Sequence, residues 1–166
     1  DNVFIIDEEV MDRWDIEKSI LYPMLKGKDI GRYLINWSKK YLIYPYDDTG
    51  RVIPEKQLHK YYPHAYAYLV AMKLELSGRD YFERSNKNWY ELWNQRNLSR
   101  FKRTKIVTLD NAKHNSFVLD TSNFLGTTTV YSIILKNNTK YDYKFILGIL
   151  NSSTLEYYHK HNTIPQ

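Results

Sequence analysis

The sequence predicts an α+β fold with mixed, antiparallel-rich sheets, one long central helix and two C-terminal helices. Short β-branched and aromatic runs between turn residues predict the strands, and an apolar stripe at helical spacing predicts the central helix. Strands and helices come in unequal blocks without a regular βαβ rhythm, which favours α+β over a doubly wound sheet. We expect one domain over residues 1–166, with a minor lobe division near 78–104.

The N-terminal part predicts short strands around one short helix. A strand is expected over Val3–Ile6. A helix is expected over Asp15–Tyr22, because Asp15 is a suitable cap and Pro23 would end it. Beyond a turn at Lys26–Asp29, three further short strands are expected to form a meander: 30–35, 41–46 and 51–53.

A longer helix is predicted between Pro63 and Gly78. Proline is tolerated in a first helical turn, and glycine commonly follows a helix end. Apolar residues recur between them at spacings of four, three and four, which places them on one helix face. They are Ala65, Leu69, Met72 and Leu76. We interpret this stripe as core packing and not as part of a cofactor site.

The C-terminal half predicts further strands and two closing helices. In chain order, the expected elements are a helical turn or two at Asn88–Gln95, strands at Lys105–Leu109, Phe117–Leu119 and Val130–Leu135, a loop at 121–129, and helices at Tyr143–Leu150 and Thr154–Lys160.

Charge is distributed unevenly along the chain. Between Arg84 and Lys105, seven Lys and Arg residues stand against one acid, a balance of +6 that exceeds the +5 of the whole chain. Residues 1–20 carry seven acids and two bases. A concentrated cationic stretch with Trp, Tyr and amide side chains suits a polyanion whose phosphates and base edges can both be contacted. The alternative is a solvated basic helix face.

Several function classes are disfavoured by what the sequence lacks. Without cysteine, the chain has no disulfide framework, no Cys-based zinc site and no thiol nucleophile. Its six glycines form no nucleotide-binding or methyl-donor turn, and its five histidines form no HExxH motif. Neither a bilayer-spanning run nor a signal peptide is recognisable, so we expect a cytoplasmic protein without a membrane partner. The start at Asp1 suggests excision from a longer chain.

One weak nuclease-like pattern is present. Asp120, in or after a strand, and Asp142, two residues before Lys144, could hold a hard cation beside a lysine. Asp142 is more simply explained as the N-cap of the helix that follows it.

An ordered set of short segments resembles a known family. In chain order the segments are Leu25–Ile30 (LKGKDI), Arg32–Tyr33, Trp37, Tyr41–Tyr44 (YLIY), Trp89–Leu92 (WYEL), Lys105–Val107 (KIV) and Tyr143–Ser152 (YKFILGILNS). Together they resemble the TaqI-like C-terminal specificity domain, from about Leu21 to Tyr158. That domain is similar to the target-recognition part of adenine-specific DNA methyltransferases and of fused restriction-modification enzymes.

The resemblance implies a division of labour within a longer bacterial protein. A separate catalytic domain would bind S-adenosylmethionine and carry an Asn/Asp-Pro-Pro-Tyr/Phe motif, while this chain would be a single target-recognition domain for double-stranded DNA. The chain has no such motif, since Tyr44–Asp47 contains one proline and has the wrong order. We therefore expect no cofactor, no metal and no catalysis in the chain itself.

Candidate DNA contacts follow from side-chain chemistry. Lys and Arg meet phosphates in any sequence, whereas forked or two-atom groups in loops discriminate bases. The phosphate candidates are Lys26, Lys28, Arg100, Lys102 and Arg103, and the base-readout candidates are Gln95, Arg96, Asn97, Lys113, His114, Asn115, Thr127 and Thr128. Structural roles in turns, caps and ion pairs are the alternative for each of them.

Three hypotheses remain open from the sequence. The first is a DNA target-recognition domain that works beside an adenine methyltransferase. The second is a metal-dependent nuclease that uses Asp120, Asp142 and Lys144. The third is an RNA-binding or protein-interaction domain. The recognised bases cannot be read from one sequence, because readout depends on loop geometry and DNA shape.

Overall fold

The computed structural model describes residues 2–79, 85–95 and 98–162. The chain divides into two compact units, each assembled from two stretches of sequence. Both units combine helices with antiparallel strands, so the predicted α+β class is confirmed. Unit 1 comprises residues 1–24 and 39–100, and unit 2 comprises residues 25–38 and 101–166.

Unit 1 contains three antiparallel strands. β1 (Ile5–Asp7) pairs with β3 (Lys40–Ile43), and β3 pairs on its other side with β2 (Leu21–Leu25). Ile5 lies opposite Leu42 in this register. Residues 2–4, where the predicted first strand begins, form a 3-10 turn, so that strand starts two residues later than expected.

Helix α1 (Glu8–Arg13) follows β1 directly and was not predicted. Asp7 caps it, because the Asp7 Oδ1 accepts a hydrogen bond from the Val10 N–H at 3.0 Å. Glu8 and Glu9 in its first turn favour the positive end of the helix dipole. This hydrogen bond and a side-chain hydrogen bond from Lys40 lower the pKa of Asp7 below its ordinary value.

The helix predicted over Asp15–Tyr22 is wrong. Asp15 adopts a φ of 50°, in the left-handed region, just beyond the end of α1. A 3-10 turn at Lys18–Ile20 then leads directly into β2, and Pro23 lies inside this strand opposite Tyr41. Pairing with β3 therefore outweighs the local helical preference of this segment.

Within the part of the chain that the structure describes, four further helices lie between residues 55 and 101. Leu69 and Leu76 are buried, as the predicted core stripe requires, and Gly78 follows the last turn. The bounds are α2 (Glu55–Tyr61), α3 (Pro63–Ala71), α4 (Lys73–Ser77) and α5 (Leu98–Phe101), the last of which ends at the first residue of unit 2.

The predicted central helix is interrupted at Met72. This residue has a ψ of 10° and separates α3 from α4. The Leu76 N–H donates to the Met72 carbonyl at 3.0 Å, so α4 begins directly at the interruption. Neither proline nor glycine marks this interruption in the sequence.

Two further expectations for this part of the chain are wrong. Only the middle strand of the predicted meander forms, as β3, while its neighbours contribute isolated bridges between Ile30 and Ile35 and between Tyr46 and Val52. Residues 88–95 form turns and bends instead of a helix.

Unit 2 contains a three-stranded antiparallel sheet with β4 in its centre. β4 (Lys105–Leu109) is flanked by β5 (Phe117–Asp120) and β7 (Val130–Ile133). Val107 lies opposite Val118 on one side and opposite Ser132 on the other. The predicted strands are confirmed, with β5 one residue longer and β7 two residues shorter than expected. The bounds are β4 (Lys105–Leu109), β5 (Phe117–Asp120), β6 (Leu125–Gly126) and β7 (Val130–Ile133).

The core of unit 2 is an apolar cluster that joins its two stretches of sequence. Trp37 packs edge-on against Phe124, with 5.1 Å between the ring centroids. The cluster consists of Leu25, Ile30, Val107, Val118, Phe124 and Val130.

Two helices close unit 2, as predicted: α6 (Tyr143–Leu150) and α7 (Ser153–Asn162). Asn151, between them, is buried. Its Oδ1 accepts from the Phe117 N–H at 3.1 Å, and its Nδ2 donates to the Phe117 carbonyl at 2.8 Å. This amide therefore joins the end of α6 to β5, which explains the structural use of the Leu-Asn-Ser segment.

Candidate nucleic-acid interface

The turn that follows β2 is held by its own hydrogen bonds. The buried Asp29 accepts from the Lys26 N–H at 2.8 Å, and its own N–H donates to the Lys26 carbonyl at 2.9 Å. Gly27 permits close packing, because a Cβ at this position would lie 3.2 Å from Leu109 Cδ2. The turn thus presents Lys28 as an exposed cation at a fixed position.

The loop before β7 is similarly constrained. A Cβ on Gly126 would lie 2.9 Å from Val130 Cβ, so glycine is needed for this close approach. The Thr127 N–H donates to the Leu25 carbonyl at 3.1 Å. The Thr127 and Thr129 hydroxyl oxygens lie 3.1 Å apart. A short, tightly held loop therefore carries the threonines predicted for base readout.

These two turns and the start of the β4–β5 loop surround one pocket of about 390 Å³. The Asp110 N–H donates to the Thr129 carbonyl at 2.9 Å, which joins two of the three segments. Ile30 and Leu109 supply apolar lining, and exposed polar side chains supply the rest. We call the pocket and its three segments the recognition pocket; its polar lining residues are Lys28, Asp110, Asn111 and Thr129.

Asp110 is oriented by a neighbour on β7. A hydrogen bond with the Asp110 carboxylate raises the pKa of the Tyr131 hydroxyl above its ordinary value. Tyr131 therefore stays protonated at neutral pH and acts as the donor to this carboxylate.

Lys113 and His114 lie at the far end of the β4–β5 loop, and both are exposed. His114 is already engaged within the protein, since its Nδ1 lies 2.8 Å from the Glu156 Oε1 on α7. Lys113 remains a candidate for a base or a phosphate.

Asn115 does not fit its predicted role in base readout. Its side chain is only 5% exposed, and its Nδ2 donates to the Leu150 carbonyl at 2.7 Å. The amide therefore attaches the loop to the end of α6 and does not face a ligand.

Two of the described cations in the basic stretch from Arg84 to Lys105 are bonded within the protein. Lys105 is buried, with its Nζ 2.5 Å from the Asp120 Oδ2 and 2.9 Å from the Phe101 carbonyl. Lys87 donates to the Leu92 carbonyl at 2.9 Å. Both cations are therefore engaged in contacts within the protein.

Lys102 and Arg103 are exposed between α5 and β4, where phosphate contacts remain feasible. Arg103 Nη2 donates to Asn137 Oδ1 at 3.2 Å. Lys26 is partly buried beside Lys28.

The remaining candidates lie elsewhere. Gln95 belongs to unit 1, and its Nε2 donates to the Gly50 carbonyl, so it holds a turn there. Arg96, Asn97 and the side chain of Arg100 lie outside the described part of the chain.

The nuclease pattern is not assembled as a metal site. Asp120 is fully buried and accepts from the Ser122 N–H at 2.8 Å in addition to its ion pair with Lys105. Asp142 caps α6, with its Oδ1 2.7 Å from the Phe145 nitrogen. Among residues 2–79, 85–95 and 98–162, no three His, Asp or Glu side chains are close enough together to hold a metal ion. Within the same ranges, no helix is both long and apolar enough to cross a membrane.

Sequence reasoning missed several residues of this surface. Asp110 and Asn111 line the recognition pocket, yet only their neighbours in the loop were predicted. The available signal was their position directly after a strand, where loop residues are carried by a rigid scaffold. Arg32, which contacts Glu156, had no local signal, whereas the spacing of four between Glu156 and Lys160 on α7 was a local signal that sequence reasoning did not use.

Comparison with known proteins assigns this chain to a family. The family model for the TaqI-like C-terminal specificity domain matches residues 22–166, and the chain belongs to that family. The type II methyltransferase M.BanIII of Aneurinibacillus aneurinilyticus is 28% identical over 165 residues. The match covers 96% of this chain and 28% of that protein. The type II methyltransferase M.BstVI of Geobacillus stearothermophilus is 23% identical over 158 residues, which cover 95% of this chain and 26% of that protein.

Proposed function

We propose that this TaqI-like C-terminal specificity domain binds double-stranded DNA in a sequence-specific manner, as part of an adenine-specific DNA methyltransferase or restriction-modification enzyme. The chain spans about a quarter of the length of the two methyltransferases described above. In this proposal the other part of the parent enzyme binds S-adenosylmethionine and transfers the methyl group, and this chain does not catalyse. Base flipping would be completed in that catalytic part.

The single observation that carries the proposal is the recognition pocket of unit 2. Three segments distant in sequence converge there, and they bring together an ammonium, a carboxylate, an amide and a hydroxyl. Such a set of donors and acceptors can read base edges. The tight turns that carry these groups keep them in fixed positions, which selective readout requires.

Chemical type suggests a role for each group. The Asn111 amide can pair with adenine through one donor and one acceptor, and Lys28 can meet guanine or a phosphate. Thr127 and Thr128 lie beside the pocket-lining Thr129 and carry hydroxyls suited to either phosphate or base. Lys102, Arg103 and Lys113 supply sequence-independent contacts with the backbone.

The first prediction concerns binding by the 166-residue chain. A labelled pool of randomised duplexes should yield a preferred sequence on repeated selection. The log–log salt slope of binding should be about −3 to −6, because roughly four to seven phosphates are expected to be met. Equal affinity for all duplexes, or a flat salt response, would contradict the proposal. Mg²⁺-dependent cleavage that is lost on Asp142→Ala would favour a nuclease instead.

Two variants separate readout from general affinity. Asn111→Ala should relax the preference at one base pair by about 1–3 kcal/mol, whereas Lys28→Ala should weaken binding to all duplexes and reduce the salt slope by about 1. Lys56→Ala, an exposed lysine of α2 in unit 1, is the matched control and should leave both quantities unchanged. An Asn111→Ala variant with unaltered preference at every position would remove this residue from the proposal.

A further inference from the structure

Glu156 contacts an arginine, a lysine and a histidine from separate segments of unit 2. Its Oε1 lies 2.8 Å from His114 Nδ1 and 3.0 Å from Lys160 Nζ. Its Oε2 accepts a hydrogen bond from Arg32 Nη2. Arg32 belongs to the turn between Ile30 and Ile35, His114 to the β4–β5 loop, and Lys160 to α7. Lys160 is four residues from Glu156 on the same helix, whereas Arg32 and His114 reach Glu156 only through the three-dimensional fold.

The carboxylate is covered while the cations are exposed. The side chain of Glu156 is 14% exposed, compared with 40% for Arg32, 66% for His114 and 48% for Lys160. Arg32 and Lys160 together exceed the charge of the single carboxylate by one unit, even with His114 neutral. An approaching ligand therefore meets positive donors first, so the cluster suits an anion.

Arg32 is held in place from two sides. Its Nε donates to the Asn115 carbonyl at 3.2 Å, in addition to its contact with Glu156. Its own turn is anchored because the Tyr33 N–H donates to the Phe117 carbonyl at 3.0 Å. A guanidinium carries five N–H donors in a rigid fork, so two contacts inside the protein leave donors for a further oxygen.

We propose that Arg32, His114 and Lys160 form a phosphate clamp for the DNA backbone, with Glu156 as the positioning residue. This inference depends on the proposed function and deepens it by naming a contact with one phosphodiester group. The position is consistent with it, since Asn111 of the recognition pocket and His114 are three residues apart in one loop. Their Cα atoms are separated by at most about 11 Å, which corresponds to roughly three base-pair steps along the axis of the duplex.

The test measures binding of the chain to a labelled duplex of random sequence over a range of salt concentrations. Phosphate contacts do not depend on base sequence, so this probe needs no knowledge of the target site. Arg32→Ala and Lys160→Ala should each weaken binding several-fold and reduce the salt slope by about 1. Lys56→Ala should match the unmodified chain in slope and affinity.

Glu156→Ala distinguishes an ordered clamp from a simple excess of charge. It removes one negative charge from the chain and also removes the group that positions Arg32, His114 and Lys160. Weaker binding is expected for the clamp, and tighter binding would show that net charge alone matters, which would overturn the proposal. Circular dichroism verifies that each variant is folded, and if Arg32→Ala does not fold, Lys160→Ala decides.

The two proposals fail in different ways. If the unmodified chain does not bind the duplex at low salt, the proposed function fails and the clamp fails with it. If the unmodified chain binds with a steep salt slope, and Lys160→Ala and Arg32→Ala bind with the same slope and affinity, only the clamp is refuted.

Discussion

Lys105 and Asp120 face each other across β4 and β5, and both side chains are withdrawn from solvent. Asp120 also accepts hydrogen bonds from the backbone N–H groups of Ser122 and Phe124, and Lys105 donates to Phe101. Each charge is thus compensated by several partners at once. Such a pair specifies how the loop after β5 leaves the sheet. If only one partner is removed, the other is left as an uncompensated charge in an apolar environment.

Lys105→Met should lower the free energy of unfolding by about 3–5 kcal/mol, because Asp120 would remain buried without its partner. Urea denaturation measures this change. Lys102→Met is the matched control, since Lys102 is exposed three residues earlier, and its effect should stay within about 0.5 kcal/mol. Similar losses in both variants would contradict the role assigned to burial.

The pKa of Glu156 is lowered to about 2 from its ordinary value of 4.5, because His114, Lys160 and Arg32 all bond to its carboxylate. Because this pKa is lower in the folded than in the unfolded state, the ionised carboxylate stabilises the fold at pH values above the unfolded-state pKa. This stabilisation is lost as the pH falls through the folded-state pKa. The stability deficit of Glu156→Gln should therefore be complete at neutral pH and shrink between pH 4.5 and about 2. Urea titrations at a series of pH values test this, and a deficit that does not change with pH would be inconsistent with the ion cluster.

At the scale of elements, α6 is a helix for which the local sequence signals and the tertiary contacts favour the same structure. Asp142 caps the helix, Leu147 is buried, and Asn151 joins its end to β5. The helix packs against both β4 and β5. This agreement explains why its bounds were predicted without error.

Asp142→Ala should lower the free energy of unfolding by about 1 kcal/mol, because the Phe145 N–H loses its acceptor at the start of α6. Asp142→Ser retains a capping oxygen and should recover most of the loss. Both values come from urea denaturation. A loss of several kcal/mol in Asp142→Ala would indicate a role beyond the cap.

Other elements were predicted wrongly because their partners lie far away in sequence. The segment from Asp15 to Tyr22 has acceptable helical character, yet the strand that begins at Leu21 gains its hydrogen bonds from β3. Residues 30–35 have strand-like composition, but their backbone closes a turn that is bonded to Phe117. Local propensity is a weak term when tertiary pairing competes with it.

At the scale of the whole molecule, the uneven distribution of charge along the sequence does not predict which charged residues share a surface. The chain passes between the units at residues 24–25, 38–39 and 100–101, so the basic stretch from Arg84 to Lys105 is divided between them. Within it, Lys105 is buried and Lys87 is bonded to a backbone carbonyl. The proposed recognition pocket and the proposed phosphate clamp take their cations from several segments of unit 2, such as Lys28, Arg32 and Lys160.

The sequence by itself determined the α+β class, the strands of the unit 2 sheet, the two closing helices and the resemblance to the TaqI-like family. These features depend on periodicity, caps and ordered motifs, which are local and therefore legible along the chain. Only the tertiary structure decided which polar residues reach the surface together. Asn115 and Lys105 turned inward, Asn111 came to line the pocket, and Arg32 reached Glu156 from a distant turn, because burial and long-range hydrogen bonds are settled by packing between distant segments.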